Sequence, residues 1–181
     1  MNQINQYWLT SHTLAGLIHF TSATIGLILG LGILFLKPGS NIHKISGYIF
    51  IPILVSVNIS ALFVHEMGMI FGPFHFLIPF SLYFLFLGIK PFITKMTGQQ
   101  KLKTHIRGMV GAALGLWAAF CAELVARTPT ISKFLLSFSD NTFLVGTIEG
   151  FVFVFIFILL IKKVTKKQFK RMGLTLHNPK I

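Results

Sequence analysis

Acidic residues and cysteine are nearly absent from this chain of 181 residues, and each shortage excludes a class of protein. Four Asp and Glu residues stand against sixteen Lys and Arg, so the formal net charge is +12. With 54% hydrophobic residues and a mean hydropathy of +0.76, the chain has too few polar groups to cover a soluble core. Its one cysteine, Cys121, excludes an internal disulfide framework and a thiolate cluster for a metal ion. We therefore predict an integral membrane protein.

Five apolar stretches are each long enough to cross about 30 Å of hydrocarbon, which takes roughly twenty helical residues. No Lys or Arg precedes the first stretch and no small-residue cleavage site ends it, so we expect it to remain in the mature protein. The predicted fold is an all-α integral membrane protein, with a four-helix bundle core and a fifth transmembrane helix. It forms a single polytopic domain over 1–181, with spans at about 12–36, 45–64, 73–93, 105–126 and 142–161.

Basic residues predict the orientation of these spans, because Lys and Arg near the end of a span resist translocation. They cluster in the first and third connections and in the tail, 162–181, whereas the opposite side carries only Arg127 and Lys133. We predict an amino terminus outside, a carboxyl terminus inside and a basic cytoplasmic tail. The positive charge then faces anionic lipid headgroups and requires no nucleic acid as a partner. The predicted location is the cell membrane, in bacteria the inner membrane.

Four histidines form two pairs on alternate predicted helices. His19 and His75 belong to the first and third helices and lie toward the outside, whereas His43 and His105 belong to the second and fourth and lie toward the inside. Glycines recur nearby at steps of three or four, a spacing that lets a flat ligand approach a helix. Two such pairs are what two bis-histidine haems require. The cations predicted to contact haem propionates or to form ion pairs are Lys44, Arg107 and Arg127.

A metal site is the second interpretation of the polar residues near the outer side. A Zn²⁺ or Fe²⁺ ion takes the nitrogen and oxygen ligands that such residues supply. With an open position for water, the site would make the protein a membrane metal enzyme. A transport path for a metal ion or proton through the bilayer, along His19, Glu149 and Glu123, is a further interpretation. The residues of this alternative set are His19, His65, His75, Glu123 and Glu149.

A structural membrane protein without catalysis is the third interpretation. In it, Glu123 and Arg127 form an i,i+4 ion pair, and Glu149 hydrogen-bonds His19. Asn58, an amide in the middle of the second helix, is expected to hydrogen-bond another helix. The sequence leaves open a homo-oligomer, and an electron donor or acceptor that is either a protein or a quinone.

The order of the histidine motifs in the first four helices carries a family resemblance. The motifs are LIHFTSATIGLILGLGILFLKPG, HKISGYIF, GPFHFL, and HIRGM running to a terminal arginine. In this order they resemble an uncharacterised bacterial membrane family catalogued as domain of unknown function 2306, over about residues 14–127. The resemblance implies no activity. It marks His19, His43 with Gly47, His75, and His105 with Met109 and Arg127 as the positions to test.

The paired histidines also resemble, distantly, the transmembrane di-haem cytochromes b, which pass electrons from one side of a membrane to the other. That resemblance implies haem b as the cofactor and electron transfer as the activity. We therefore predict a cofactor-bearing membrane protein that binds b-type haem for transmembrane electron transfer, with the metal-dependent and structural interpretations as alternatives.

Overall fold

The chain folds into helices joined by short connections in the computed structural model, which describes residues 14–64, 72–137, 139 and 141–174. No strand occurs within those ranges. Five helices are long and apolar enough to cross a membrane, as the sequence predicts. In chain order the elements are α1 (Leu14–Phe35), α2 (Asn41–Ala61), a 3₁₀ turn (Pro73–Phe76) leading into α3 (Leu77–Ile93), α4 (Gly98–Arg127), the short α5 (Pro129–Leu136) and α6 (Thr142–Arg171).

Two helices extend beyond the apolar stretches that reveal them in the sequence. α4 begins at Gly98 rather than near 105, and α6 continues past 161 to Arg171. The added residues are mainly Lys and Gln, which favour helix but not hydrocarbon, so hydropathy marks the crossing and not the helix end. The predicted basic tail therefore begins as a continuation of α6.

The last turns of α6 pack against the rest of the protein. Phe169 is buried, with 3% of its surface exposed. The side-chain amide of Gln168 donates a hydrogen bond to the carbonyl oxygen of Leu34 at 2.9 Å. This contact joins the last helix to the end of the first.

α4 is the helix against which most others pack, because its sequence supplies small side chains on several faces. It lies against α1, α3 and α6, while α1 also packs on α2. Ala112 and Ala122 are completely buried in these contacts. The largest buried side chains of the core, Phe50 and Leu54, come from α2.

α3 and α4 approach each other closely at two glycines. A Cβ atom on Gly108 would collide with the backbone nitrogen and Cα of Gly88, so no side chain fits between the two helices here. Small residues allow such contact between membrane helices. The approach also sets the position of His105, which lies about one turn before Gly108 on α4.

Candidate functional site

His43 and His105 form the clearest side-chain pair in the described structure. The centroids of their rings are 6.5 Å apart, and the ring planes make an angle of 78°. The two residues come from α2 and α4, as the sequence predicts. Phe92 packs edge-on against His105 with a centroid distance of 5.0 Å. We call this cluster of His43, His105 and Phe92 the imidazole pair site.

A backbone carbonyl orients His105. Its Nδ1 lies 2.8 Å from the carbonyl oxygen of Gly88 on α3. Because a carbonyl oxygen can only accept, Nδ1 carries the proton and Nε2 of the neutral ring keeps its lone pair. Histidines that bind a metal usually donate a hydrogen bond of this kind from the nitrogen that does not bind. The bond fixes the tautomer and raises the basicity of the other nitrogen.

His43 is positioned by the cap at the start of α2. Gly39 adopts φ +77°, which turns the chain out of α1, and Ser40 caps α2 by accepting a hydrogen bond from the backbone amide of His43 at 3.2 Å. The Nδ1 atom of His43 is buried and makes no hydrogen bond of standard geometry within the described ranges, although the backbone of Ile33 interacts with this imidazole. A buried polar atom without a well-formed hydrogen bond costs free energy unless something else binds it.

Lys101 is in contact with the imidazole pair site, and among the described residues the structure shows no such contact for the predicted Lys44 or Arg107. The guanidinium of Arg107 lies over the ring of Phe169, 5.5 Å from its centroid, and Lys44 is exposed. Lys101 was missed by the sequence analysis: its Nζ lies 4.8 Å above the ring of Phe92. The side chain of Arg127 is outside the described part of the structure, so its predicted ion pair stays a prediction.

A cavity of about 470 Å³ contains three of the other predicted site residues: His19, His75 and Glu123. α2, α3, α4 and α6 supply the rest of its wall, which is mostly aliphatic and aromatic. We call it the apolar cavity. His19 and His75 thus share one chamber, as their pairing in the sequence predicts.

His19 is held by α2. Its Nδ1 lies 3.1 Å from the carbonyl oxygen of Val57 and 3.2 Å from the hydroxyl oxygen of Ser60. The Ser60 hydroxyl donates to the Ser56 carbonyl at 2.7 Å, so toward His19 it can only accept. Nδ1 of His19 therefore donates, and the lone pair of the neutral ring is on Nε2.

His75 is held by its own turn. It ends the 3₁₀ segment before α3, and its Nδ1 lies 3.1 Å from the backbone nitrogen and 3.2 Å from the carbonyl oxygen of Gly72. The proline and glycine that precede it favour this tight conformation. His75 is buried, with 7% of its surface exposed.

Asn58 makes the interhelical hydrogen bond that the sequence predicts. Its Nδ2 donates to the carbonyl oxygen of Leu54 at 2.7 Å and to the hydroxyl oxygen of Ser81 on α3 at 3.0 Å. Asn58 and Ser81 both line the apolar cavity. Ser81 was missed because nothing in the spacing of α3 distinguishes it.

The alternative metal set is not assembled in the described residues. No group of three or more His, Cys, Asp or Glu side chains among them could hold a metal ion. His65 lies outside the described ranges, so the full set stays a prediction. Glu149 does not line the apolar cavity, which separates it from His19 and Glu123.

Glu149 is a buried acid on α6, with 9% of its surface exposed. The predicted hydrogen bond to His19 is wrong, because His19 bonds to α2 instead. Its Oε1 is buried and has no partner in the part of the chain that the structure describes. The sequence gives the depth of an acid along its helix but not the direction of its side chain.

We expect Glu149→Gln to raise the thermal midpoint in detergent, by about 2–4 °C for each kcal/mol gained. Glutamine has the same shape, and it removes a charge that is expensive to hold in an apolar interior. Differential scanning fluorimetry measures the change. Glu123→Gln is the matched control and should give no rise, since Glu123 is only partly buried. A fall in the midpoint of Glu149→Gln would show instead that the carboxylate stabilises the fold.

Comparison with known proteins gives no family or relative to which these sites can be assigned: no protein-family model, no curated protein and no solved structure matches the chain.

Proposed function

We propose that this protein binds b-type haem in the cell membrane and transfers electrons, with His43 and His105 as the residues that would hold it. The observation that supports the proposal is the imidazole pair itself: two rings from separate helices, with centroids 6.5 Å apart. Imidazole nitrogens ligate haem iron, and two rings at this spacing could both reach one bound haem.

The donor atoms of the pair also fit an axial role. His105 has its Nδ1 occupied by the Gly88 carbonyl, and His43 has a buried Nδ1 that makes no hydrogen bond of standard geometry in the described residues. Each ring therefore offers one nitrogen lone pair in an apolar setting, which neutral imidazole ligands require. Bound haem would supply one-electron chemistry, with a potential tuned by its axial ligands and their hydrogen bonds.

The proposal includes the orientation predicted from the basic residues. The imidazole pair site would lie at the cytoplasmic side of a core formed by α1 to α4, with α6 as the fifth helix, the amino terminus outside and the carboxyl terminus inside. Lys101 lies against Phe92 of this site, where a cation would offset a negative propionate. We propose the bacterial inner membrane as the location, and membership of the family named above as a hypothesis.

A second haem between His19 and His75 stays a prediction. The two residues line one cavity, and His19 keeps a lone pair on Nε2. His75 differs from His105, because its Nδ1 contacts both the backbone nitrogen and the carbonyl oxygen of Gly72, and these two contacts do not fix which ring nitrogen carries the proton. The proposal therefore depends on the imidazole pair site alone.

A reduced-minus-oxidised absorption spectrum tests the proposal. The protein is expressed with haem precursors, purified in detergent and reduced with dithionite. We expect Soret and α bands of a low-spin b-type haem, with at least one haem per chain by the pyridine haemochrome assay. Protein that shows no such bands after incubation with haemin would refute the proposal. Elemental analysis of the same sample for Zn and Fe tests the metal-site alternative.

A further inference from the structure

The apolar cavity is a second site, separate from the imidazole pair, and it reaches the surface that faces lipid. Phe80 and Tyr83 of α3 and Ile158 of α6 line it, and they are 46%, 58% and 36% exposed, respectively. Because these exposed side chains belong to α3 and α6, the cavity opens between those two helices. Because the exposed faces of these helices are apolar, a ligand would enter from the bilayer.

Asn58 presents an acceptor to this cavity. Its Nδ2 is identified by the bond to the Leu54 carbonyl, because that oxygen can only accept. Both N–H groups are then used, one on Leu54 and one on Ser81. The remaining polar atom, Oδ1, is an acceptor on a residue that is 95% buried, given its 5% exposure. A buried carbonyl oxygen of this kind favours a ligand that donates a hydrogen bond.

His19 presents a second acceptor. Its Nδ1 donates to α2, so Nε2 holds the lone pair and the residue lines the same chamber as Asn58. Ser81 accepts from Asn58, which leaves its own O–H as a donor. Asn58, His19 and Ser81 thus supply two acceptors and one hydroxyl to a chamber that is also lined by His75 and Glu123 and whose remaining wall is mainly apolar.

The remaining wall defines the shape of the ligand. Phe74, Phe80, Tyr83, Phe84 and Phe157 line the chamber. Aromatic walls favour a flat ring, which they contact by stacking or edge-to-face packing. A volume of about 470 Å³ is within the range of about 300–1,000 Å³ for small-molecule pockets.

We infer that the apolar cavity binds the head of a membrane-soluble hydroquinone, whose hydroxyl groups donate to Asn58 Oδ1 and His19 Nε2. A hydroquinone has the flat aromatic ring, the two hydroxyl donors and the apolar tail that the walls, the acceptors and the open mouth require. The inference concerns binding and does not depend on haem at the imidazole pair site.

Gly115 allows the cavity to be filled without disturbing the fold. It lines the chamber, and a Cβ atom built on it would meet open space. Gly32 is the matched control, since its Cβ would also meet open space but it does not line the cavity. Both positions are in helices, so Gly115→Leu and Gly32→Leu gain the same helical propensity.

The test is anaerobic titration with an alkyl-substituted naphthohydroquinone, measured by isothermal calorimetry in detergent. We expect saturable binding to the wild-type protein and to Gly32→Leu, and at least a tenfold weaker affinity for Gly115→Leu. The haem spectrum should be the same in all three proteins, so a change in hydroquinone affinity can be distinguished from a failure to bind haem at the imidazole pair site. Equal affinity of Gly115→Leu and wild type would overturn the inference.

A second probe tests the hydrogen bonds themselves. The dimethyl ether of the same compound keeps the ring and the tail but has no hydroxyl donor, so we expect it to bind at least tenfold more weakly. Asn58→Leu should reduce the affinity for the hydroquinone and leave that for the ether unchanged. Equal binding of the two compounds to wild type, or a second haem that is lost in His19→Ala, would show a different occupant and sink the inference.

Discussion

A His105→Ala variant is expected to lose the haem absorption spectrum completely. Alanine removes the ligating nitrogen and also breaks the bond with the Gly88 carbonyl, which holds the ring in place. His43→Ala should give the same loss, since one remaining imidazole holds haem weakly in a membrane interior. The pyridine haemochrome assay on purified protein measures the haem content of each variant.

A loss of haem could also follow from misfolding, so the histidine variants need a readout of ligation. His105→Met replaces nitrogen by a thioether of similar length. We expect it to retain haem with a higher reduction potential, as Met/His ligation gives in other cytochromes. Redox titration of the α band detects the change. A potential equal to that of wild type would contradict axial ligation by His105.

His19→Ala and His75→Ala are the matched controls within the same chain. Both remove an imidazole from the apolar cavity and leave the imidazole pair site intact. Each should keep the bands of the haem at His43 and His105. Loss of all absorption in His19→Ala would place the cofactor in the cavity and would contradict the assignment made here.

Gly108→Ala is expected to prevent α3 and α4 from packing, with a loss of stability of at least about 3 kcal/mol, the upper end of the usual range for overpacking. The new methyl group would meet the backbone of Gly88, which cannot rotate away as a side chain can. Separation of the helices also withdraws the Gly88 carbonyl from His105. The variant should therefore lose haem together with its folded, monodisperse peak on size exclusion.

Two other glycines give a graded control for this result. A Cβ on Gly88 would first meet the flexible side chain of Met109 and would lie 3.2 Å from the Met109 backbone nitrogen, so Gly88→Ala should be milder than Gly108→Ala. Gly115→Ala meets open space and should be neutral. Thermal midpoints in detergent measure the order. If Gly108→Ala were as stable as Gly115→Ala, the close contact of α3 and α4 would not exist in the membrane.

Residue type and spacing were sufficient to predict five helices long and apolar enough to cross a membrane and the proximity of His43 and His105. Both predictions depend on features that can be read directly from the sequence, namely the apolar stretches and the positions of the histidines along them. The partner of His105 could not be predicted in this way, because it is a backbone carbonyl and every residue has one. Its location depends on the glycine contact between α3 and α4, which is a property of two helices together.

The apolar cavity also could be predicted only in part from the sequence. Asn58 stands out as an amide in an apolar helix, and its interhelical bond was predicted. Its partner, Ser81, is one small polar residue in a helix that has no other signal. A cavity forms where the side chains of several helices leave space between them, so it cannot be predicted from any single stretch of sequence. The predicted partner of Glu149 was wrong for a related reason: the position of an acid along α6 does not tell which neighbouring helix its side chain faces.

The bond between Gln168 and the Leu34 carbonyl joins two residues that lie 134 positions apart. Synthesis on the ribosome produces α1 before α6, so Leu34 is made long before its partner exists. This hydrogen bond can therefore form only after synthesis has passed residue 168, and a ribosome stalled before that residue would leave a nascent chain without this link between α1 and α6.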